Sequence, residues 1–120
     1  MNNNLIIAAI ILVLVIAVAY LVFFSKPSVA SDEFAKCLTK EGAVFYGSYQ
    51  CGHCATQKEM FGSSIQYVNY VECGPLGAPP SNEACTQVGI EAYPTWIING
   101  IKYVGVQQLI KLSELTGCDL

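Results

Sequence analysis

Two cysteines separated by two residues form the pattern with the clearest chemistry in this sequence, Cys51-Gly52-His53-Cys54. The pair follows an apolar run at residues 44–49 and precedes a helix-like segment. At the start of a helix, cysteines with this spacing can close a small disulfide, and the partial positive charge there favours the thiolate of the first cysteine. Because thiolates attack disulfides, the pattern predicts thiol–disulfide exchange, with Cys51 as the exposed nucleophile and Cys54 as the buried resolving thiol.

His53 lies between the two cysteines and is the only histidine in the chain. A protonated imidazole can stabilise the Cys51 thiolate, which stabilises the reduced protein and makes the disulfide more oxidising. Two other interpretations remain open at this stage. The pair can be a permanent structural disulfide, or it can bind zinc or copper together with His53, although the sequence lacks a second Cys-x-x-Cys pattern.

Four further cysteines bring the total to six, and all six lie outside the apolar N-terminal segment. An even number at this density in a small domain indicates an oxidising compartment, and fifteen pairings are conceivable. Cys73 and Cys85 flank a loop rich in proline and glycine, so we expect a structural disulfide there; a second redox pair is the alternative. Cys37 and Cys118 are the candidate third bridge, provided that their Cα atoms approach within about 7 Å.

The elements that must position these cysteines follow from turn residues and apolar spacing. The predicted order is α-β-α-β-α-β-β-α, with parallel pairing of the first two strands and an antiparallel hairpin at Asn99-Gly100. This order predicts an α/β domain, a mixed sheet of about four strands flanked by helices. The predicted helices cover residues 32–41, 52–61, 82–88 and 107–116, and the predicted strands cover residues 44–49, 66–72, 94–98 and 101–104.

The N-terminal segment is a candidate membrane helix, because residues 5–24 contain no charge. As a helix they would span roughly 30 Å, the thickness of a bilayer core. We expect a single transmembrane anchor at residues 1–25, a linker at 26–31 and the folded domain at 32–120. A cleaved signal peptide is the alternative, since Ser28-Val29-Ala30 resembles a cleavage site; the long apolar run and the lack of a basic N-terminus oppose it.

Charge and cysteine usage limit the partners and the location. The net charge of −3 offers no basic patch, so nucleic acid is excluded as an expected partner. Lys26, the one basic residue near the apolar run, weakly favours the wrong side of the membrane for disulfide chemistry. We give the cysteines priority over this single charge and expect a single-pass protein of the cell membrane with its domain on the extracytoplasmic side. We also expect the protein to be a monomer.

Several motifs together carry a resemblance to a known family. They are Phe34 to Leu38, Tyr46-Gly47-Ser48-Tyr49, Cys51-Gly52-His53-Cys54, Gln57 to Gly62, Tyr67 to Cys73, Cys85, Gly89-Ile90, Tyr93-Pro94-Thr95 with the residues to Gly100, and Gly105-Val106-Gln107. With these motifs the region resembles a thioredoxin-fold domain, closest to the thioredoxin-like domain fused to, or working beside, bacterial and archaeal homologues of vitamin K epoxide reductase. The Cys-Gly-His-Cys and Tyr-Pro-Thr motifs also resemble those of protein disulfide isomerase.

The resemblance implies a disulfide donor to secreted proteins that contain cysteines. It implies reoxidation by a membrane protein of the vitamin K epoxide reductase or DsbB type, so the chain needs no cofactor of its own and meets quinone only indirectly. Pro94 should be cis, and Tyr93 should offer its backbone to an extended substrate. An isomerase or a reductase of the same fold is the alternative.

One position departs from the resemblance. Thioredoxin and protein disulfide isomerase carry a buried acid six residues before the first active cysteine, where it assists proton transfer at the resolving thiol. Phe45 occupies that position here, and residues 44–49 contain no carboxylate. The departure puts efficient reductase or isomerase turnover in question and is compatible with an oxidase, or with a site that uses water for proton transfer.

Overall fold

The computed structural model describes residues 2–24 and 29–120, so the first half of the predicted linker at residues 26–31 lies outside the described residues. The α-helices are Asn3–Phe24 (α1), Asp32–Lys40 (α2), Gly52–Glu59 (α3), Glu83–Gln87 (α4) and Leu109–Thr116 (α5). The strands are Val44–Gly47 (β1), Tyr70–Glu72 (β2), Thr95–Ile98 (β3) and Ile101–Val104 (β4). A 3₁₀ helix, Gly62–Tyr67, lies between α3 and β2.

The four strands form one mixed sheet in the order β2-β1-β3-β4. β1 and β2 are parallel, while β3 runs antiparallel to both β1 and β4. Asn99 and Gly100 both have positive φ, at 51° and 77°, as a two-residue hairpin of type I′ requires. The mixed sheet with helices is the architecture predicted from the sequence, and it fits a thioredoxin-like fold.

Helix α2 begins and ends where the sequence predicts. The Ser31 hydroxyl accepts the backbone N–H of Phe34 at 3.1 Å, and Asp32 lies in the first turn, where a negative charge is favourable. The chain leaves the helix at Gly42, which has a φ of 80°. Residues close in sequence thus set the start and the end of the helix, which buries Phe34.

The predicted strand at residues 66–72 is wrong in its first half, because residues 62–67 form the 3₁₀ helix and only Tyr70–Glu72 is strand. The reason is a side chain on α2. The Thr39 hydroxyl donates to the Tyr67 carbonyl at 2.7 Å and accepts the Asn69 N–H at 3.0 Å, so these backbone groups are satisfied without a neighbouring strand. Helix α3 is also shorter than predicted and ends at Glu59.

The segment just before α2 is fixed to the end of α3. The Ala30 N–H donates to the Met60 carbonyl at 3.0 Å, and the Ser64 hydroxyl donates to the Ala30 carbonyl at 3.0 Å. Ala30 is buried, so the first residues of the domain belong to its core.

Trp96 lies at the centre of the core, with Phe45 stacked on it at 5.1 Å between ring centroids and Phe61 on its other side at 6.0 Å. A buried polar side chain completes this centre. The Gln57 carbonyl oxygen accepts the indole N–H of Trp96 at 3.1 Å and the backbone N–H of Gln107 at 2.7 Å, and its amide nitrogen donates to the Gln107 carbonyl at 3.0 Å. Gln57 thus joins α3 to β3 and to the segment before α5.

Replacing Gln57 with leucine should lower the free energy of unfolding by about 3 kcal/mol, because the buried indole N–H of Trp96 and the partly buried N–H of Gln107 lose their acceptor. Denaturant unfolding of the two proteins measures the difference. Gln87→Leu is the matched control, since Gln87 is exposed on α4 and donates only to Glu83; its effect should be within about 0.5 kcal/mol. Equal losses in the two variants would contradict this role for Gln57.

Helix α1 is exposed along its length. Within the described parts of the chain, it is the one helix long and apolar enough to cross a membrane, a property that signal sequences share.

Candidate active site

Cys51 is the N-cap residue of α3. Its Sγ accepts the backbone N–H of Cys54 at 3.3 Å, so the sulfur directly contacts one of the free N–H groups at the helix start. The thiol faces the Tyr93 carbonyl oxygen at 3.6 Å. Cys51 is only 8% exposed, less than the exposed nucleophile that the sequence predicts, because both contacts draw its sulfur against the protein.

Cys54 lies one turn further along α3, and its thiol is more deeply enclosed. It is 1% exposed, and neither Cys54 nor Cys51 is disulfide-bonded in this structure. Burial, with a further contribution from the hydrogen bond to Cys51, raises the pKa of Cys54 to about 12. The thiol is therefore protonated at neutral pH and must lose its proton when it attacks a disulfide.

The other predicted site residues lie around this pair. The Tyr93–Pro94 peptide bond is cis, Pro94 is fully buried, and the Tyr93 carbonyl is the oxygen facing Cys51. His53 lies exposed in the first turn of α3. Tyr49 lies in the turn before Cys51 and is 66% exposed.

A groove of about 640 Å³ opens beside Cys51. One wall is the loop at residues 76–80, and the other is the segment at residues 90–93 that leads to Pro94. Cys73 is bonded to Cys85, with 5.9 Å between their Cα atoms, and this bridge closes the segment that contains the first wall. Cys51 is itself one of the residues that line the groove, so a molecule bound there would lie next to its sulfur.

Cys37 is bonded to Cys118, again with 5.9 Å between the Cα atoms. Cys118 follows α5 instead of lying within it, and it is buried together with α2. Four cysteines thus form two disulfide bridges, and Cys51 and Cys54 are the free pair.

A charged cluster that the sequence did not reveal lies on β2 near the buried thiol. The Tyr70 hydroxyl donates to Glu72, which also accepts the backbone N–H groups of Tyr49 and Gly74 at 3.0 Å each. The Lys58 ammonium lies 3.9 Å from the centre of the Tyr70 ring. The parallel pairing of β1 and β2, which the sequence predicts, places Glu72 opposite Gly47. This pairing is the feature that could have pointed to the cluster.

Gly47 shows how closely this cluster approaches Cys54. A Cβ atom added at Gly47 would lie 3.1 Å from the Cys54 sulfur, 2.9 Å from a carbon of the Tyr70 ring and 3.2 Å from its hydroxyl. The thiol and the phenol therefore border the same small space above β1, and only glycine leaves that space open.

Similarity of the chain to known proteins bears on the chemistry of this site. No family model matches the chain. The thiol-disulfide oxidoreductase LTO1 of Arabidopsis thaliana is 44% identical over 100 residues, which is 80% of this chain. The chain is similar to a thiol-disulfide oxidoreductase. It spans only 27% of the length of that relative.

Proposed function

We propose that the protein is a thiol–disulfide oxidoreductase whose redox-active pair is Cys51 and Cys54. The observation that carries this proposal is the placement of the two free thiols: Cys51 caps α3 at the edge of an open groove, and Cys54 lies buried behind it. The similarity to LTO1, a protein named for this activity, supports it.

In the oxidised protein, a substrate thiolate would attack the Cys51 sulfur. The Cys51–Cys54 bond breaks, a mixed disulfide forms between substrate and Cys51, and Cys54 leaves with the electron pair and takes up a proton. A second substrate thiolate then attacks its own mixed-disulfide sulfur and releases the Cys51 thiolate, so the substrate loses two electrons and the protein gains them. His53, exposed beside Cys51, would stabilise that thiolate when protonated.

Substrate would bind in the groove as an extended segment. The Tyr93 carbonyl, which faces Cys51 at 3.6 Å, would accept a backbone N–H of the segment when Cys51 is engaged. Tyr93 and Pro94 are therefore binding residues in this proposal, and Cys51 and Cys54 are the reacting ones.

The proposal extends to location and partners. Helix α1 would anchor the protein in the cell membrane, with the domain on the extracytoplasmic side, where the Cys37–Cys118 and Cys73–Cys85 bridges are stable. There it would donate disulfides to secreted proteins that contain cysteines. A membrane oxidase of the vitamin K epoxide reductase or DsbB type would reoxidise it, so quinone would act only through that partner.

The reduction potential of the full-length protein tests the direction of this chemistry. In glutathione buffers, with the oxidation state of Cys51 and Cys54 followed by mass, we expect a value of about −120 to −180 mV, in the range of disulfide donors and isomerases. Histidine between the cysteines and the deep burial of a protonated Cys54 thiol both support the reduced state.

A value near about −270 mV, the potential of thioredoxin, would overturn the donor proposal and favour the reductase alternative. A donor and an isomerase then differ in a second assay. Only an isomerase restores activity to a substrate protein that has been oxidised with the wrong disulfides.

A further inference from the structure

The resolving thiol lacks the usual proton acceptor, because Phe45 stands where related folds carry a buried acid. Cys54 is 1% exposed, so bulk water has little access to its sulfur. Every exchange cycle nevertheless moves a proton to or from this atom. A polar side chain that borders this sulfur is therefore a candidate proton acceptor.

Tyr70 is a polar side chain that borders the same space as the Cys54 sulfur. Its hydroxyl and the Cys54 sulfur lie at 3.2 Å and 3.1 Å from the same point above Gly47. Its ring is fixed by an edge contact with Phe45, at 5.0 Å between centroids, and by the Lys58 ammonium on its face. The hydroxyl has few alternative positions and donates to Glu72.

Glu72 connects this hydroxyl to the solvent, because its side chain is only partly buried. Burial alone would raise the pKa of Glu72. Hydrogen bonds from Tyr70, Gly74 and Tyr49, together with the charge of Lys58, reverse that effect and lower the pKa below its usual value. The carboxylate is therefore ionised at neutral pH, so its oxygens carry no proton and are free to act as hydrogen-bond acceptors.

We propose that Tyr70 and Glu72 form the proton path of Cys54, replacing the acid that is absent at Phe45. The inference rests on the proposed redox function of Cys51 and Cys54. It assigns a role to two residues of β2 for which the sequence pattern alone indicated no chemistry.

The proposed proton path operates when the reduced protein resolves a mixed disulfide. The Cys54 sulfur attacks Cys51, the Cys51–Cys54 bond forms, and the bond between Cys51 and the substrate sulfur breaks with its electron pair on the substrate. The Cys54 proton passes to the Tyr70 oxygen while the Tyr70 proton passes to Glu72, so no tyrosinate accumulates. Glu72 then releases its proton to water, and substrate oxidation uses the same path in reverse.

Other titratable groups face this site and must be considered in any pH dependence. Cys51 and Lys58 face it from α3, and Tyr93 faces it from the segment before β3. Burial raises the pKa of Tyr70, and the hydrogen bond to Glu72 raises it further, so the phenol itself stays protonated through the neutral range. Titration of Tyr70 is therefore not the event that the experiment detects.

The experiment uses the reduced full-length protein in detergent and the disulfide of thionitrobenzoate. Attack by Cys51 releases one coloured thiolate at a rate that depends on the reagent concentration. Attack by Cys54 on the resulting mixed disulfide releases the second coloured thiolate at a rate that does not depend on the reagent concentration. Tyr70→Phe keeps the ring contacts and should slow the second phase about a hundredfold, the scale of general base catalysis, while the first phase stays within about twofold.

The pH profile separates a proton path from a structural effect. With Glu72 as acceptor, the second phase of the unmodified protein should change little above neutral pH. In Tyr70→Phe it should rise about tenfold per pH unit, because hydroxide is then the base. Glu72→Gln should behave like Tyr70→Phe, and the double variant should be no slower than either single one.

Tyr67→Phe is the matched control, since Tyr67 also carries a lysine ammonium over its ring, Lys36 at 4.3 Å, but belongs to the 3₁₀ helix. It should leave both phases unchanged. An unchanged second phase in Tyr70→Phe, or equal slowing of both phases, would overturn the proton path while leaving the redox function intact. Failure of the unmodified protein to release either thiolate would overturn both proposals.

Discussion

Replacing Cys54 with serine is expected to leave the protein covalently attached to its substrate. Cys51 would still attack a substrate disulfide from the start of α3, but no thiol would lie behind it to resolve the product. Cys51→Ser should form no adduct at all. Turnover should fall by on the order of a thousandfold or more in both variants, as it does when a covalent nucleophile is removed. Non-reducing gels and mass spectrometry of the adduct measure the outcome.

The contrast between these two variants is the decisive part of the test. If the pair were a permanent structural disulfide, either substitution would lower stability and neither would trap a substrate. If the pair bound a metal ion, both variants would lose metal affinity and neither would form a mixed disulfide. Trapping by Cys51→Ser but not by Cys54→Ser would reverse the assigned roles and contradict the burial of Cys54.

Removing the Cys37–Cys118 bridge is expected to destabilise the domain by about 4–5 kcal/mol. The bridge links residues 81 positions apart, and closing so long a loop removes much of the entropy of the unfolded chain. A domain of this size has a total stability of about 5–15 kcal/mol, so a loss of this magnitude leaves it marginal. Denaturant unfolding of Cys37→Ala/Cys118→Ala under non-reducing conditions measures the effect.

The second bridge provides a control with the same chemistry. Cys73 and Cys85 are separated by 12 positions, so the same entropic estimate gives about 3 kcal/mol for Cys73→Ala/Cys85→Ala. Cys73, Cys85 and Cys118 are buried and Cys37 is partly buried, so loop length is the largest difference between the two double variants. A larger loss for the short loop than for the long one would contradict the entropic explanation.

Local patterns predicted much of this fold correctly. Three local features are Ser31 at the start of α2, the Asn99-Gly100 turn, and Gly117 at the end of α5. Each acts through its own backbone or through residues a few positions away, so its effect can be predicted directly from the sequence. The order of elements and the mixed sheet follow from these local signals together with the apolar spacing.

The features that were missed depend on contacts between residues distant in sequence. Thr39 on α2 prevents residues 66 and 67 from joining β2, and nothing in the strand-like segment itself indicates this. Gln57 looks like an ordinary polar helix residue until Trp96 and Gln107 are seen against it. Glu72 becomes part of the candidate site only because β2 pairs with β1. This pairing places Glu72 opposite Gly47, which lies 25 positions earlier in the chain.

The attachment of Ala30 to Met60 fixes where the preceding chain enters the domain. Met60 follows the last residue of α3, whereas Cys51 caps the first, so the eight residues of the helix place the two points roughly 12 Å apart along its axis. If α1 is held in a membrane, the reactive sulfur would be carried on the end of the helix away from its tether. Tension on the tether would then act at the C-terminal end of α3, away from Cys51 and the groove that it borders.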